Sequence, residues 1–110
     1  MFEKDLTVAY LLDFYGDILS ERKRQVLDDY YNNDLSLSEI AADIGISRQG
    51  VRELIKKAES ELCFYEEKLH LAHRFREAGM HAARLQALAK RYDLPKDVLL
   101  ELHALEDSVR

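Results

Sequence analysis

The sequence has little of what interrupts or cross-links a helix: one proline, four glycines, one cysteine and no tryptophan in 110 residues. The single cysteine, Cys63, excludes an intramolecular disulfide and any Cys-rich zinc or iron–sulfur site. So few Gly and Pro leave little chain for β-hairpins or long loops. No run approaches the roughly 18 uncharged apolar residues that would read as a membrane span. The opening Met1-Phe2-Glu3-Lys4-Asp5 lacks the basic-then-apolar order of a signal peptide, so the expectation is a soluble cytoplasmic protein without membrane insertion. A basic surplus is missing too: 16 Lys and Arg stand against 21 Asp and Glu, a formal net charge of −5. Sequence-independent affinity for nucleic acid comes from Lys and Arg neutralising phosphates, so this balance argues against binding by bulk charge alone. What remains, 47% apolar and 34% charged, describes a folded core in one small domain, or a small domain with an extension. A large enzyme with a deep, multi-layer active site does not fit that length.

What the sequence does have is helical periodicity, in six segments with no strand pattern. The first, Lys4 to Tyr15, places Leu6, Ala9, Tyr10 and Phe14 at helical spacings, with Leu11, Leu12 and Tyr15 widening the apolar face and Gly16 as its expected stop. So wide a face must be buried in the core or at a subunit interface. The second, Glu21 to Tyr31, follows the N-cap Ser20, turns Val26, Leu27, Tyr30 and Tyr31 inward, and breaks at Asn32-Asn33-Asp34. Arg22-Lys23-Arg24 on its first turns reads either as a solvated face or as a phosphate- or partner-contacting patch. The third opens with the capping box Ser36-Leu37-Ser38-Glu39 and ends at Gly45. The fourth starts after Ser47 and is predicted to run from Arg48 to Ala78, which at 1.5 Å per residue is about 45 Å. Met80 to Tyr92 and Pro95 to Glu106 are then predicted as a closing antiparallel hairpin, with Pro95 allowed in a first turn. The domain expectation is a first domain over 1–62 and, over 63–110, the extension of the long helix plus the hairpin, acting as one cooperative unit.

Within this frame, Leu37 to Lys56 matches the helix-turn-helix template. Ile40 is the apolar residue in mid first helix, Ala41 the small residue at the crossing, and Ile44 the apolar residue before the turn. Gly45 can take a positive φ, Ile46 follows it, and Val51 and Leu54 fill the inner face of the second helix. That second helix would be the reader, with Ser47, Arg48, Gln49, Arg52, Lys56 and Lys57 as the nucleic-acid-binding candidates. Arg48, Arg52 and Lys56 repeat at i+4 as one basic stripe, and Arg and Gln can make bidentate contacts to guanine and adenine edges. Glu53 beside them could read a cytosine amino group but also repels phosphate. By region, residues 1–35 carry −4, 36–62 carry −1 and 63–110 carry 0, so the stripe has no basic surround.

The same helix carries a second pattern. Val51, Ile55, Ala58, Leu62, Tyr65, Leu69 and Ala72 alternate +4 and +3 as an apolar seam of the coiled-coil kind. Either the seam packs on the closing hairpin, or part of it joins the wide face of the first helix in a homodimer. The dimer or partner interface candidates are Leu11, Phe14, Tyr15, Leu62, Tyr65 and Leu69. Other chemistry is thinly supported. His70 and His73 at i, i+3 lack a Cys or HExxH context and read as a wet helix face, so no metal is expected. The carboxylate pairs Asp28-Asp29 and Glu66-Glu67 point about 100° apart on a helix and make no general acid/base pair. Cys63 has nothing near it in sequence to lower its pKa and reads as a buried or half-buried small apolar residue. There is no Gly-rich phosphate loop. The sequence implies no cofactor, no catalytic residue and no enzyme.

The blocks Leu12-Asp13-Phe14-Tyr15-Gly16, Leu19-Ser20 with Arg22, Arg24 and Gln25, Asp29-Tyr30-Tyr31-Asn32-Asn33-Asp34-Leu35-Ser36-Leu37-Ser38-Glu39-Ile40-Ala41, Ser47-Arg48-Gln49-Gly50-Val51 and Tyr65-Glu66-Glu67-Lys68-Leu69 resemble the YlxM family of small bacterial proteins. The helix-turn-helix core is also similar to region 4 of bacterial sigma factors. The fold expected is therefore all-α: a sigma region 4-like helical bundle without a wing, with one long helix and a C-terminal helical hairpin. The resemblance implies a dimeric regulator linked to the signal recognition particle pathway. Its implied partners are DNA or the particle's small RNA, and the particle's GTPase subunit. The alternative is a protein-interaction module that keeps the helix-turn-helix as a scaffold and binds through Phe14, Tyr15, Tyr30 and Tyr31 and the acidic first third of the chain.

Overall fold

Six helices build the chain in the computed structural model, which describes residues 6–109: α1 (Leu6–Tyr15), α2 (Glu21–Tyr31), α3 (Leu37–Ile44), α4 (Arg48–Leu69), α5 (Leu71–Arg91) and α6 (Lys96–Ser108). There is no strand among the described residues, and the fold is all-α. The reading of Met1–Asp5, the start of the first helix at Lys4 and the side chain of Leu6 lie outside the described residues.

Local chemistry sets most of the boundaries. The Ser20 hydroxyl accepts from the Lys23 amide at 3.4 Å and caps α2. At α3 both halves of the capping box form: the Glu39 amide donates to Ser36 Oγ at 3.1 Å, and the Ser36 amide donates to Glu39 Oε1 at 3.0 Å. Gly45 ends α3 at φ 72°, the left-handed conformation that costs glycine nothing. Gly16 works differently from the predicted stop: it is buried at the start of a 3-10 turn, Gly16–Ile18, where a Cβ would approach Leu12 Cδ1 to 3.3 Å. Absence of bulk, rather than a positive φ, is what that position requires.

The chain divides into two compact units, one through Leu69 and one from His70. In the first, α1, α2 and α3 all pack on α4. Val51, Ile55, Ala58 and Leu62 of the seam are fully buried there with Val26, Leu27 and Ile40. The seam thus closes on α1, α2 and α3 as far as Leu62. Beyond it Tyr65 is half-buried and Leu69 is 46% exposed, while Ala72, in α5, is buried.

The predicted helix over 48–78 is broken. α4 stops at Leu69, His70 sits at φ 56°, and α5 starts at Leu71. Histidine is among the few non-glycine residue types enriched at positive φ, so the break needs neither Gly nor Pro. Gly79, expected to separate two helices, lies inside α5 instead. A mid-helix glycine costs only about 1 kcal/mol, which packing offsets. In the second unit α5 and α6 pack on each other as the hairpin, joined by a turn with Asp93 at φ 53°.

Candidate nucleic-acid interface

The reader helix is held by the core beneath it. Ile40, Val51 and Ile55 have no solvent exposure and Leu37 and Ala41 little. Leu54, the predicted second inner position, is half-buried at the edge, and Ile55 takes the central place. The turn is fixed by the Gly45 and Ile46 amides, which both donate to the Ala41 carbonyl, at 2.9 and 3.2 Å. Ser47 Oγ then accepts from the Gly50 amide at 3.0 Å and caps the start of α4. Ser47 is thereby a cap as well as a candidate contact.

Of the predicted reading residues, Ser47, Arg48, Gln49, Lys56 and Lys57 are exposed and Arg52 is half-buried. Among the described residues the side chains of Arg48, Gln49 and Lys57 have no hydrogen bond or ion pair. They stand on one rigid helix, available to a ligand. Arg48 also borders a hollow with Tyr30, Asp34 and Glu39 on the α3 side.

The basic triplet on α2 separates, and only its first member joins this surface. Arg22 and Lys57 flank a shallow cleft with Ile46, Gly50, Glu53 and Leu54. Lys23 pairs with Glu61 of α4 at 2.5 Å. Arg24 lies over Gly16 and faces a hollow lined by Asp13, Asp17 and Asp28. The sequence offered the triplet as one patch. Its sorting depends on which helices pack beside α2, and helical periodicity carries no information on that.

Carboxylates of α4 have structural duties. Tyr15 Oη donates to Glu66 Oε1 at 2.7 Å, Tyr31 Oη to Glu59 Oε1 at 2.9 Å, and Lys23 Nζ to Glu61. Part of the negative charge beside the reader helix is thus engaged in docking α1 and α2.

The interface candidates divide as well. Leu11, Tyr15 and Leu62 are buried in the first unit's own core, at 5%, 2% and 0% exposure, and so are not surface available to a partner. Phe14 and Tyr65 are half-buried and Leu69 is exposed. Tyr30 is also buried and Tyr31 is half-buried against Glu59, which removes most of the aromatic surface the protein-interaction alternative needed. Cys63 is exposed, not buried. His70 is the left-handed residue at the helix break, while His73 Nε2 lies 3.6 Å from Glu77 Oε1. No cluster of three metal-ligating side chains occurs among the described residues, and no helix there is long and apolar enough to cross a membrane.

Comparison with known proteins agrees with this architecture. Residues 2–100 match the model of the UPF0122 family, described as "Putative helix-turn-helix protein, YlxM / p13 like". A UPF0122 protein of Acetivibrio thermocellus is 44% identical over 92 residues, covering 84% of this chain and 79% of that one. One of Malacoplasma penetrans is 49% identical over 76 residues, covering 68% and 71%, and one of Bacillus cereus 43% over 88 residues, covering 80% of each. The family's description names a helix-turn-helix and no catalytic activity. A capped turn, a buried crossing and a match spanning almost the whole length lead to one conclusion: the chain belongs to the UPF0122, YlxM-like family of helix-turn-helix proteins.

Proposed function

We propose that this chain is a non-enzymatic regulator that binds nucleic acid through the start of α4 and acts in the cytoplasm on the signal recognition particle pathway. The observation that carries the reading is the set of unpaired, exposed side chains Arg48, Gln49 and Lys57 on a helix whose entry is fixed by Gly45 and Ser47. Arg48, Gln49 and Arg52 reach base edges, while Lys56, Lys57 and, from α2, Arg22 reach phosphates. Ser47 contributes its hydroxyl at the helix start. DNA and the particle's RNA present the same phosphate charge, and the resemblance to the YlxM family supports the RNA and the GTPase subunit as targets. Two copies acting together would present two reader helices.

Few cations take part, so binding is expected to be weak off target and to fall with salt at a log–log slope of about −0.9 per neutralised duplex phosphate. Fluorescence anisotropy against the targeting-particle RNA and against random duplex DNA, with the GTPase subunit assayed in parallel, tests the reading. Arg48→Ala with Arg52→Ala is expected to lower affinity for the cognate nucleic acid by at least about tenfold, the equivalent of roughly 1.4 kcal/mol. Unchanged affinity for both would overturn the reading and leave the helix-turn-helix as a scaffold.

A further inference from the structure

The centre of the reader helix's outward face is held by Glu53. The buried line Val51, Ile55, Ala58 and Leu62 defines the direction in which α4 packs. At about 100° per residue, Glu53 projects within about 10° of the opposite direction. Gln49 stands about 30° from it, Lys56 and Lys57 about 50°, and Arg52 about 90°. Exposure agrees with that order: Glu53, Gln49, Lys56 and Lys57 are exposed and Arg52 is half-buried. The side chain placed furthest from the protein is therefore an anion with cations on both flanks.

The carboxylate is also unengaged. Glu59, Glu61 and Glu66 of the same helix are taken up in docking α1 and α2. Glu53 has no such duty. It shares the cleft beside α2 with Arg22 and Lys57, and Lys57 lies at i+4, the spacing at which Glu and Lys pair on a helix. Even so, Glu53 makes no hydrogen bond or ion pair among the described residues. Gly50, one turn earlier, adds no side chain to cover it, and a Cβ there would lie 3.3 Å from both Ile46 Cδ1 and Ser47 Oγ.

An unpaired carboxylate at that position selects its ligand. It accepts hydrogen bonds and donates none, so it repels phosphate and needs a donor. A helix with its side chains is about 10–12 Å across and enters the B-form major groove, about 12 Å wide, with base edges on the groove floor. A residue at the centre of the outward face meets that floor. The donors there are the amino groups of cytosine and adenine, whereas guanine and thymine present acceptors. Adenine sets its N7 acceptor beside the amino group, which suits the Gln49 amide, and cytosine offers the amino group alone. We propose that Glu53 is a specificity-determining residue of this face, accepting from a cytosine amino group in duplex DNA about two base pairs from the base that Gln49 meets. The separation follows from a helix rise of about 6 Å over four residues against about 3.4 Å per base pair. The major groove of double-stranded RNA is too narrow for side chains to read in this way. The inference rests on α4 as a nucleic-acid reader and commits that reading to duplex DNA.

Selection by the full chain from a randomised pool of duplex DNA, followed by fluorescence anisotropy on the enriched sites, tests it. The parent chain is expected to enrich a site with a fixed C·G pair, and replacement of that pair by T·A is expected to lower affinity by about tenfold. Glu53→Ala changes an exposed side chain, so the fold is expected to hold. This variant should bind the two sites within about twofold of each other and keep the parent's preference at every other position. Glu53→Gln, which can donate as well as accept, should shift the preference at that one position towards adenine. A Glu53→Ala chain that binds every duplex more tightly by one common factor and selects the parent's sequence would overturn the proposal and leave Glu53 as plain repulsion. A parent chain that binds duplex DNA without a fixed C·G pair, or binds only the targeting-particle RNA, would overturn it while nucleic-acid binding stands. A parent chain that binds neither would overturn it together with the reading of α4 on which it rests.

Discussion

Gly45 and Gly79 are the same residue type in opposite circumstances, and the difference fixes the sign of a substitution. At Gly45 φ is 72° and an added Cβ would meet nothing within 4 Å, so the whole penalty is backbone. Gly45→Ala is expected to destabilise the chain by about 1 kcal/mol, the cost of an L-residue in the left-handed region. At Gly79 the conformation is helical and a Cβ would make ordinary contacts with Val109 at 3.7 and 3.9 Å. Gly79→Ala is expected to stabilise by about 0.5–1 kcal/mol, by restricting the unfolded chain and favouring helix. Thermal denaturation at one fixed protein concentration reads both. From sequence alone the two glycines look equally like helix breaks, because the neighbours that separate them come from elsewhere in the chain.

At the scale of the element, α4 organises the first unit by offering a different kind of contact on each side. Its buried line of Val51, Ile55, Ala58 and Leu62 supplies the apolar contact, and Glu59, Glu61 and Glu66 receive Tyr31, Lys23 and Tyr15. The two kinds of contact should differ in weight. Ile55→Ala is expected to cost about 2–5 kcal/mol through the cavity it leaves in a fully buried site. Tyr15→Phe, which deletes one hydroxyl bonded to Glu66, is expected to cost about 1 kcal/mol. Denaturant titration of the two variants checks the order, and a larger loss for Tyr15→Phe would show that the polar contact dominates the docking of α1. The seam was legible in its first four residues because their spacing is helical. Its partner was not, since an apolar stripe states that it must be covered without stating by what.

For the whole molecule, the two units differ in how they are stabilised. The first buries large side chains from four helices, whereas the second, taken by itself, buries three alanines. Local opening should follow that difference. In native-state hydrogen exchange the slowest amides are expected around Val26, Leu27, Ile40 and Ile55. Those of α5 and α6 should exchange faster. Exchange in α5 and α6 that matched the first unit would contradict the contrast.

The sequence by itself determined the all-α class, the two serine-capped starts at Ser20 and Ser36, the Gly45 turn and the candidate reading face on α4, because each depends on residues within about one or two turns of one another. Tertiary structure alone decided that the 48–78 segment breaks at His70 and that Arg22, Lys23 and Arg24 turn to three different surroundings. It also decided that Leu11, Tyr15 and Leu62 lie inside while Leu85, Leu88 and Leu105 lie outside. Periodicity specifies a face and its polarity. Which face meets which is set by the packing of several helices at once, and no single segment contains that information.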